Sequence, residues 1–375
     1  MKYKLLVLDV DGTLLNGAKE ISKRTLASLL KVQHTGVRLV LASGRPTSGL
    51  VPLAKALEMD KFGGFIVAYN GCQVIKADDG KVMFERRINP ELIPYLEKKS
   101  RKNGFSIFTY HDDYLLTDNP DDPHIRQEAI LNGLEIVHEE EFSTAIDFAP
   151  CKCVLVSDDI EALSGLESHW KRRLDGVLDV FPSEPYFLEV VPCGVDKANT
   201  LGVLMEQLGV ARDEVIAIGD GVADVTMLQQ AGMGVAMGHA QDSVKICADY
   251  VTGSNEEDGV AQAVEKLILS EVHASEIPLD FLNAQAKHAL MGNLGIQYTY
   301  ASQDRIEATM PVDERTRQPF GILHGGATLA LAETVAGLGS MVICQPDEIV
   351  VGMQVSGNHV SSAHEGDTVR AVGTI

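Results

Sequence analysis

The sequence KLLVLDVDGT, residues 4–13, decides the fold of the first part of the chain. Its apolar run from Lys4 to Val10 has the continuous hydrophobicity of a strand that is buried on both faces of a sheet. Two carboxylates, Asp9 and Asp11, stand where this strand ends. Because ligands bind outside the carboxyl ends of strands in open parallel sheets, the stretch predicts both a strand and a polar site.

Helices and strands alternate after this first strand. A helical stretch at Ser22 to Gln33 precedes strand-like runs at Val37 to Ala42 and Ile66 to Ala68. The pattern returns with a helix at Lys197 to Leu208 and a strand at Val215 to Ile218. Such alternation predicts an α/β fold with a doubly wound parallel sheet.

Two other regions depart from this alternation of buried strands and helices. Between about Asp78 and Glu189, short alternating strands such as Ser106 to Tyr110 predict an α+β insertion. A further domain begins near Ser270 and contains a long apolar helix at Leu323 to Ile343. We therefore expect a core of residues 1–80 and 190–271, an inserted cap of residues 81–189, and a last domain of residues 278–375. Since the sequence stops inside an apolar strand-like run, we expect this last domain to be truncated.

Charge and composition exclude several classes of partner. The 375 residues carry a net charge of -21, which repels nucleic acid and anionic lipid. No uncharged apolar run reaches the length of about 20 residues that a membrane span needs. A strand-like run starts within two residues of Met1 and leaves no room for a signal peptide. The six cysteines are scattered, as in reduced proteins, so we expect a cytoplasmic location.

Polar residues at the strand ends suggest phosphate chemistry. Of the pair Asp9 and Asp11, one carboxylate could attack phosphorus while the other moves protons on the ester oxygen. Taken alone, this pair fits a turn or a calcium loop equally well. The residues Ser43-Gly44-Arg45 end the second strand, where a hydroxyl and backbone N–H groups can hold a phosphate.

Two later segments add a cation and more oxygen ligands. Lys197 opens a helix and offers a point charge beside the crowded carboxylates. Asp220 and Asp224 follow a later strand and add acidic oxygens, which a hard cation such as magnesium, Mg2+, requires. A cation there would neutralise charge on a phosphoryl group during its transfer.

In this order, the four segments resemble the motifs of the haloacid dehalogenase (HAD) superfamily, specifically its Cof-type phosphatases with a large C2 cap. The resemblance covers residues 1 to about 270 and implies a Rossmann-like core with magnesium-dependent hydrolysis of small phosphate esters, of the sugar phosphate class. It implies that Asp9 is the nucleophile and Asp11 the general acid/base. By the same resemblance the phosphate side is formed by Ser43, Gly44, Lys197 and Asn70, and the metal ligands are Asp9, Asp11, Asp220 and Asp224.

One position departs from the motifs of these phosphatases. Their fourth motif usually reads GDxxND, and here Ala223 replaces the asparagine. Because that asparagine helps to organise the region beside the metal, we expect weaker turnover. The alternative hypothesis is a thioesterase whose HAD part acts mainly as an assembly scaffold.

The last domain contains a second polar cluster. The segment QPFGILHGG, residues 318–326, precedes the long helix, and Glu333 stands in an otherwise uncharged stretch from Gly321 to Cys344. A glycine-rich turn before a buried helix, with the glutamate facing water, would explain this pattern without function. However, a lone carboxylate in an apolar helix is either costly or useful. The N–H groups of Gly325 and Gly326 at a helix start also favour a developing oxyanion.

Residues 279–375 resemble the hotdog-fold acyl-CoA thioesterases, an α+β fold. The closest likeness is to the group that hydrolyses 1,4-dihydroxy-2-naphthoyl-CoA in menaquinone biosynthesis. The resemblance implies that Glu333 is the catalytic carboxylate and that acyl-CoA or aryl-CoA is the substrate. It places around the thioester the residues Gln318, His324, Gly325, Thr334 and His359. A non-catalytic acyl-CoA-binding module is a further alternative.

The spacing of two of these residues predicts an oligomer. Glu333 lies eight residues beyond Gly325, about 12 Å along one helix at roughly 1.5 Å per residue. A carbonyl held at Gly325 is therefore out of reach of Glu333 in the same chain. We expect a homo-oligomer through the hotdog domain, in which an antiparallel copy of the helix supplies the carboxylate.

Overall fold

The computed structural model describes residues 2–269, 279–287, 289–302, 305–344, 352 and 354–374. It divides into two compact units, residues 1–268 and 269–375. Each unit has its own sheets and its own buried core.

The first unit contains two sheets. Its strands are β1 Leu5–Leu8, β2 Arg38–Ala42, β3 Phe65–Ala68, β4 Gln73–Lys76, β5 Val82–Glu85, β6 Ser106–His111, β7 Tyr114–Thr117, β8 Glu135–His138, β9 Cys153–Val156, β10 Leu178–Glu184, β11 Phe187–Pro192, β12 Val215–Gly219, β13 Met233–Ala236 and β14 Tyr250–Val251. Its helices are α1 Lys23–His34, α2 Thr47–Ala56, α3 Met59–Phe62, α4 Ile93–Asn103, α5 Pro123–Asn132, α6 Phe142–Ala145, α7 Ile160–Arg173, α8 Lys197–Leu208, α9 Val225–Gln230, α10 Asp242–Lys245 and α11 Gly259–Val264.

The larger sheet has eight strands in the order β14-β13-β12-β1-β2-β3-β4-β5. The strands from β14 to β3 are parallel, and β4 and β5 add an antiparallel edge. All four residues of β1 are buried, as the continuous apolar run predicted. The predicted doubly wound parallel sheet is therefore confirmed. Because β1 lies between β2 and β12, the residues that follow these three strands meet at one edge of the sheet.

The smaller sheet lies within the insertion and forms the cap. Its order is β10-β11-β9-β6-β7-β8, and every pair is antiparallel except β7 with β8. Helices α4 and α7 contribute to an apolar core of its own, in which Trp170 is fully buried. The predicted α+β character of the insertion is thus confirmed.

The second unit combines one long helix with a three-stranded antiparallel sheet. Its elements are α12 Leu279–Ala286, α13 Leu290–Leu294, β15 Gln297–Ala301, β16 Arg305–Pro311, α14 Gly325–Ile343 and β17 Thr368–Thr374, and the strand order is β15-β16-β17. The sequence of residues 295–310 predicts a hairpin around Ser302-Gln303-Asp304, and of these Gln303 and Asp304 lie outside the described residues. The sequence of residues 349–360 predicts a strand, but residues 354–360 have no regular structure and most of the others lie outside the described ranges.

Helix α14 packs one face on this sheet. Ala327, Leu331 and Val335 are buried with Ile306 and Ala308 of β16. Among the helices in the described ranges, α14 is also the one long and apolar enough to cross a membrane, with 19 residues and a mean hydropathy of 1.5. Core helices of globular proteins have the same length and composition, so this is weak evidence, and the absence of a membrane partner stays a prediction.

Candidate active sites

The first site is built around a lysine that lies between two carboxylates. Asp9 directly follows β1, and Lys197 is the first residue of α8, whose N-cap Asp196 accepts a hydrogen bond from Asn199 N. Lys197 Nζ donates to Asp9 Oδ1 at 2.6 Å and to Asp224 Oδ1 at 2.7 Å. All three side chains of this trio are buried. The fold therefore places one ammonium between two carboxylates and away from bulk water.

Burial and crowding decide the ionisation of this trio. Burial and the negative charge of Asp224 raise the pKa of Asp9 to about 8, although Lys197 opposes them. Burial would lower the pKa of Lys197, but Asp224 and Asp9 outweigh it and hold that pKa above its ordinary value. The lysine thus stays charged, while Asp9 needs a further cation to be fully ionised at neutral pH.

A third carboxylate completes a set of oxygen donors. Asp9, Asp220 and Asp224 each offer one oxygen, and these atoms lie within 4.8 Å of one another. Such a set fits a hard divalent cation. Asp224 is already engaged, because its Oδ2 accepts from the backbone N–H groups of Asp220 and Gly221 at 3.2 and 3.0 Å. Asp9 and Asp220 are therefore the better direct ligands, and Asp224 supports them.

A glycine allows the first loop to pass this donor set. Gly12 has a φ of +87°, and a β-carbon there would overlap the Asp220 carboxylate. The next residue, Thr13, donates its hydroxyl hydrogen to Asp220 Oδ1 at 2.7 Å. The Gly-Thr pair of the first segment thus positions a carboxylate that lies 207 residues away.

Asp11 lies outside the three-carboxylate set. Arg45 donates hydrogen bonds to the Asp11 carboxylate from Nε at 2.6 Å and from Nη2 at 2.7 Å. Lys19 Nζ donates to the same carboxylate at 2.8 Å. Burial pushes the pKa of Asp11 upward, but the hydrogen bonds from Arg45 and Lys19 outweigh it and hold that pKa below its ordinary value. Asp11 was expected to be both acid/base and metal ligand, and its position outside the three-carboxylate set favours the first role. No role was predicted for Arg45 and Lys19.

The residues of the proposed phosphate loop lie beside Asp9. Ser43 is buried after β2, and its Oγ accepts a hydrogen bond from Arg45 N at 3.2 Å. The Asn70 amide lies close to Gly44, at 3.1 Å from the position of a β-carbon on that glycine. Asn70 Nδ2 donates to Glu189 Oε2 of the cap at 2.8 Å. Asn70 therefore contacts the cap from the core. Ala223, the departure from the family motif, is exposed in the turn before Asp224.

The cap meets this loop through a buried ion pair. Lys152 Nζ donates to Glu189 Oε1 at 2.8 Å and to the carbonyl oxygen of Gly44 at 2.9 Å. Both charged side chains are buried. This pair was not predicted from the sequence, although each residue is a single charge in an apolar run, Lys152 directly before β9 and Glu189 within β11, which was the available signal.

A cavity of about 260 Å³ opens over Asp9. Its core side includes Asp11 and Ser43, and its cap side includes Phe108 and Phe187. The nucleophile candidate therefore lines a partly open cavity that core and cap residues share.

The second site lies at the start of α14. His324 caps this helix, and its Nδ1 accepts a hydrogen bond from Gly326 N at 2.9 Å. The His359 imidazole lies against Gly325, with its Nε2 at 3.0 Å from the position of a β-carbon there. Gln318 Nε2 is 3.5 Å from the Leu323 carbonyl oxygen. The structure thus brings His324, Gly325 and His359 together.

Two predicted residues of this site lie further along the helix. Glu333 is exposed, two turns beyond the helix start, and its carboxylate lies beside Gly352. Thr334 is half-buried and donates its hydroxyl hydrogen to the Ala330 carbonyl oxygen at 2.7 Å. Within one chain, the carboxylate and the helix N-terminus are therefore separate features.

Comparison with known proteins separates the two units in the same way. The family of haloacid dehalogenase-like hydrolases matches residues 6–264, and the thioesterase superfamily matches residues 320–375. The crystal structure of a haloacid dehalogenase-like hydrolase from Bacteroides thetaiotaomicron is 50% identical, with a TM-score of 0.68, over 71% of this chain and 100% of that one. These matches confirm the predicted fold class.

Two relatives of named activity are similar to different parts of the chain. The 5-amino-6-(5-phospho-D-ribitylamino)uracil phosphatase YcsE of Bacillus subtilis (strain 168) is 30% identical over 71% of this chain and 96% of its own length. The 1,4-dihydroxy-2-naphthoyl-CoA hydrolase of Escherichia coli (strain K12) is 44% identical over 91 residues, which are 24% of this chain and 67% of that protein.

Proposed function

The chain belongs to the haloacid dehalogenase-like hydrolases, and we propose that its first unit hydrolyses small phosphomonoesters through an aspartyl-phosphate on Asp9, with magnesium held by Asp9 and Asp220. The observation that carries this proposal is the buried contact of Lys197 with both Asp9 and Asp224, where Asp9 also lines a cavity between core and cap residues. A buried carboxylate beside a fixed cation has the position of an activated nucleophile.

The reaction follows from the positions of these side chains. An oxygen of Asp9 attacks phosphorus, the new P–O bond forms, and the bond to the leaving alcohol breaks. Lys197 and the loop of Ser43 face the phosphoryl oxygens, and bound magnesium would supply further positive charge to them. Asp11 donates a proton to the oxygen of the leaving alcohol as that bond breaks. Its carboxylate, then stabilised by Arg45 and Lys19, accepts a proton from the water that attacks phosphorus and breaks the bond to Asp9, which releases phosphate and restores both aspartates.

The test of this proposal is capture of the intermediate. The protein is mixed with a phosphate ester and Mg2+, quenched in acid within the first turnover, digested and analysed by mass spectrometry. A phosphoryl group on Asp9 supports the proposal. Rapid turnover with no phosphoryl group on any aspartate would instead indicate direct attack by water.

A second activity is supported by the other unit. We propose that it hydrolyses aryl-CoA thioesters, with 1,4-dihydroxy-2-naphthoyl-CoA as leading candidate and menaquinone biosynthesis as the setting. The grouping of His324, Gly325 and His359 at a helix N-terminus supports an oxyanion site, and the 44% identity over 91 residues supports the substrate. Glu333 would act from the second chain of a homo-oligomer. The alternative is that the first unit serves mainly as an assembly scaffold.

Release of free CoA thiol from a panel of thioesters tests this activity. Aryl thioesters should be cleaved faster than short acyl-CoAs. Tight binding without thiol release would favour an acyl-CoA-binding module, and thiol release without any phosphatase activity would favour the scaffold alternative.

A further inference from the structure

We propose that the cap side of the Asp9 cavity selects phosphate esters whose leaving group carries no second negative charge. This inference rests on the proposed phosphatase function and concerns the substrate class of that same cavity. The inference is drawn from the charged side chains that line the cavity and from the ion pairs and hydrogen bonds that each of them already forms.

Two cap glutamates line the cavity without a cationic partner. Glu128, on α5, accepts hydrogen bonds from the Tyr110 hydroxyl at 2.7 Å and from Asn132 Nδ2 at 2.8 Å, both neutral donors. Glu184 ends β10 and lines the same cavity. Neither glutamate takes part in an ion pair with any residue that the structure describes. Lys19 acts on Glu184 only through its longer-range charge, so a ligand group that approaches the two glutamates meets negative charge that no ion pair neutralises.

The cations of the cavity wall are already engaged. Lys19 and Arg45 both contact Asp11. Lys152 is held by Glu189 and by the carbonyl oxygen of Gly44. Lys19 and Arg45 together exceed Asp11 by one positive charge, which the phosphate of the ester itself would take up. A second phosphate or a carboxylate on the leaving group would therefore find no further cation among the described lining residues. Desolvating an unpaired anion is costly, and like charges add to that cost.

The remaining wall sets the size and surface of the leaving group. Phe108 and Phe187 line the cap side with their ring centroids 5.7 Å apart. The volume of about 260 Å³ lies below the roughly 300–1,000 Å³ that drug-sized ligands occupy. The cavity therefore fits a small alcohol with one apolar face, whose hydroxyl or ammonium groups donate hydrogen bonds to Glu128 and Glu184.

Matched esters isolate the effect of charge. Glycerol 3-phosphate and 3-phosphoglycerate share a three-carbon skeleton. The first has a hydroxymethyl group at the position where the second has a carboxylate. We expect kcat/KM for 3-phosphoglycerate to be lower by at least about tenfold, because its carboxylate faces the glutamates in a site of low effective dielectric constant. Glucosamine 6-phosphate should be hydrolysed at least as well as glucose 6-phosphate, since its ammonium is attracted.

Isosteric variants assign the effect to the glutamates. Glu184→Gln and Glu128→Gln each remove one charge and keep a hydrogen-bond acceptor. Each should therefore lower the ratio of kcat/KM for glycerol 3-phosphate to kcat/KM for 3-phosphoglycerate several-fold. Glu161→Gln, an exposed change on the cap helix α7, should leave the preference as it is. The preference should also shrink as ionic strength rises.

The possible outcomes separate this inference from the proposed function. Equal turnover of the two three-carbon esters, or a preference that neither glutamine variant changes, overturns charge selection and leaves the phosphatase assignment standing. If the parent protein hydrolyses none of the four esters and no p-nitrophenyl phosphate, the phosphatase proposal fails and charge selection fails with it.

Discussion

Lys197 Nζ lies 2.6 Å from Asp9 Oδ1, and the two residues are 188 positions apart in the chain. The contact is buried, so both partners depend on each other for charge compensation. Asp9 is therefore the carboxylate whose replacement should abolish phosphatase turnover.

Replacing Asp9 by asparagine should lower phosphatase kcat at least about 10³-fold, since a neutral amide cannot attack phosphorus. Hydrolysis of p-nitrophenyl phosphate at saturating Mg2+ measures this. The matched control is Asp60→Asn, which makes the same change on the exposed surface of α3 and should keep parental turnover. If Asp9→Asn keeps parental turnover and its circular dichroism shows an intact fold, another residue is the nucleophile.

Stabilisation by Mg2+ should depend on pH. The pKa of Asp9 is raised to about 8 in the metal-free fold, against about 3.9 in the unfolded chain. A raised pKa stabilises the fold below the unfolded value, and that contribution is lost as pH rises towards 8. The metal requires the ionised carboxylate and therefore competes with the proton. Added Mg2+ should accordingly raise Tm more at pH 8.5 than at pH 6.

Thermal unfolding scans at the two pH values, with and without Mg2+, measure this difference. Asp9→Asn should largely remove it, because the amide does not titrate. An equal Tm increase at both pH values in the parent would show that the metal does not bind at Asp9.

The buried pair of Lys152 and Glu189 gives a stability prediction. Lys152→Met leaves a buried carboxylate with no cation and should cost about 3–5 kcal/mol in the free energy of unfolding. The double change Lys152→Met with Glu189→Leu removes both charges and should cost clearly less than the single change. Chemical denaturation of all variants measures this. A double variant as unstable as the sum of both single variants would mean that the two residues are not coupled.

Closure of the cap depends on a glycine in the core. A β-carbon at Gly49 of α2 would overlap the side chain of Asn132, at the end of cap helix α5. Gly49→Ala should therefore hold the cap away from the core and lower kcat/KM for phosphate esters by about tenfold or more, since closure completes the site.

A second substitution checks the cause of that loss. Gly49→Ala combined with Asn132→Ala should recover part of the activity, because the obstructing side chain is gone. If the double variant is as slow as Gly49→Ala while Asn132→Ala alone retains activity, the steric explanation is wrong.

The thioesterase site should be shared between two chains. Glu333→Ala and a Gly325 variant that blocks the oxyanion pocket should each be nearly inactive. After co-refolding they should regain up to about a quarter of parental activity, because half of the dimers are hybrid and each hybrid keeps one of two sites. Hybrid dimers confirmed by mass but without activity would show that each chain carries a complete site.

Much of the first unit could be predicted because the sequence patterns that indicate its strands and polar residues are local. The apolar run before Asp9 identifies a central strand, and parallel strands bring their carboxyl ends to one edge. The association of Asp9 with Asp220 follows from that rule, without knowledge of any distance, whereas Lys197 opens a helix after a cap strand and was assigned to the site by family resemblance. The same rule covers Ser43.

The contacts of the cap could not be predicted in this way. Lys152 and Glu189 meet only because β9 and β11 are neighbours in the cap sheet, and strand order in an inserted sheet has no local signal. The hydrogen bonds from Arg45 and Lys19 to Asp11 could not be predicted either, because they depend on side-chain directions in loops. Lys19 has a positive φ of 61°, which sequence periodicity does not reveal.

The pair of Lys152 and Glu189 has a consequence for the separation of the cap from the core. Both residues belong to the cap, while their further partners, the Gly44 carbonyl and the Asn70 amide, belong to the core. When the cap lifts, the two opposite charges travel together and only those two hydrogen bonds are exchanged for bonds to water. Such an exchange costs about 0.5–1.5 kcal/mol per bond, much less than separating a buried ion pair. This contact would therefore add only a small cost to a separation of the cap from the core.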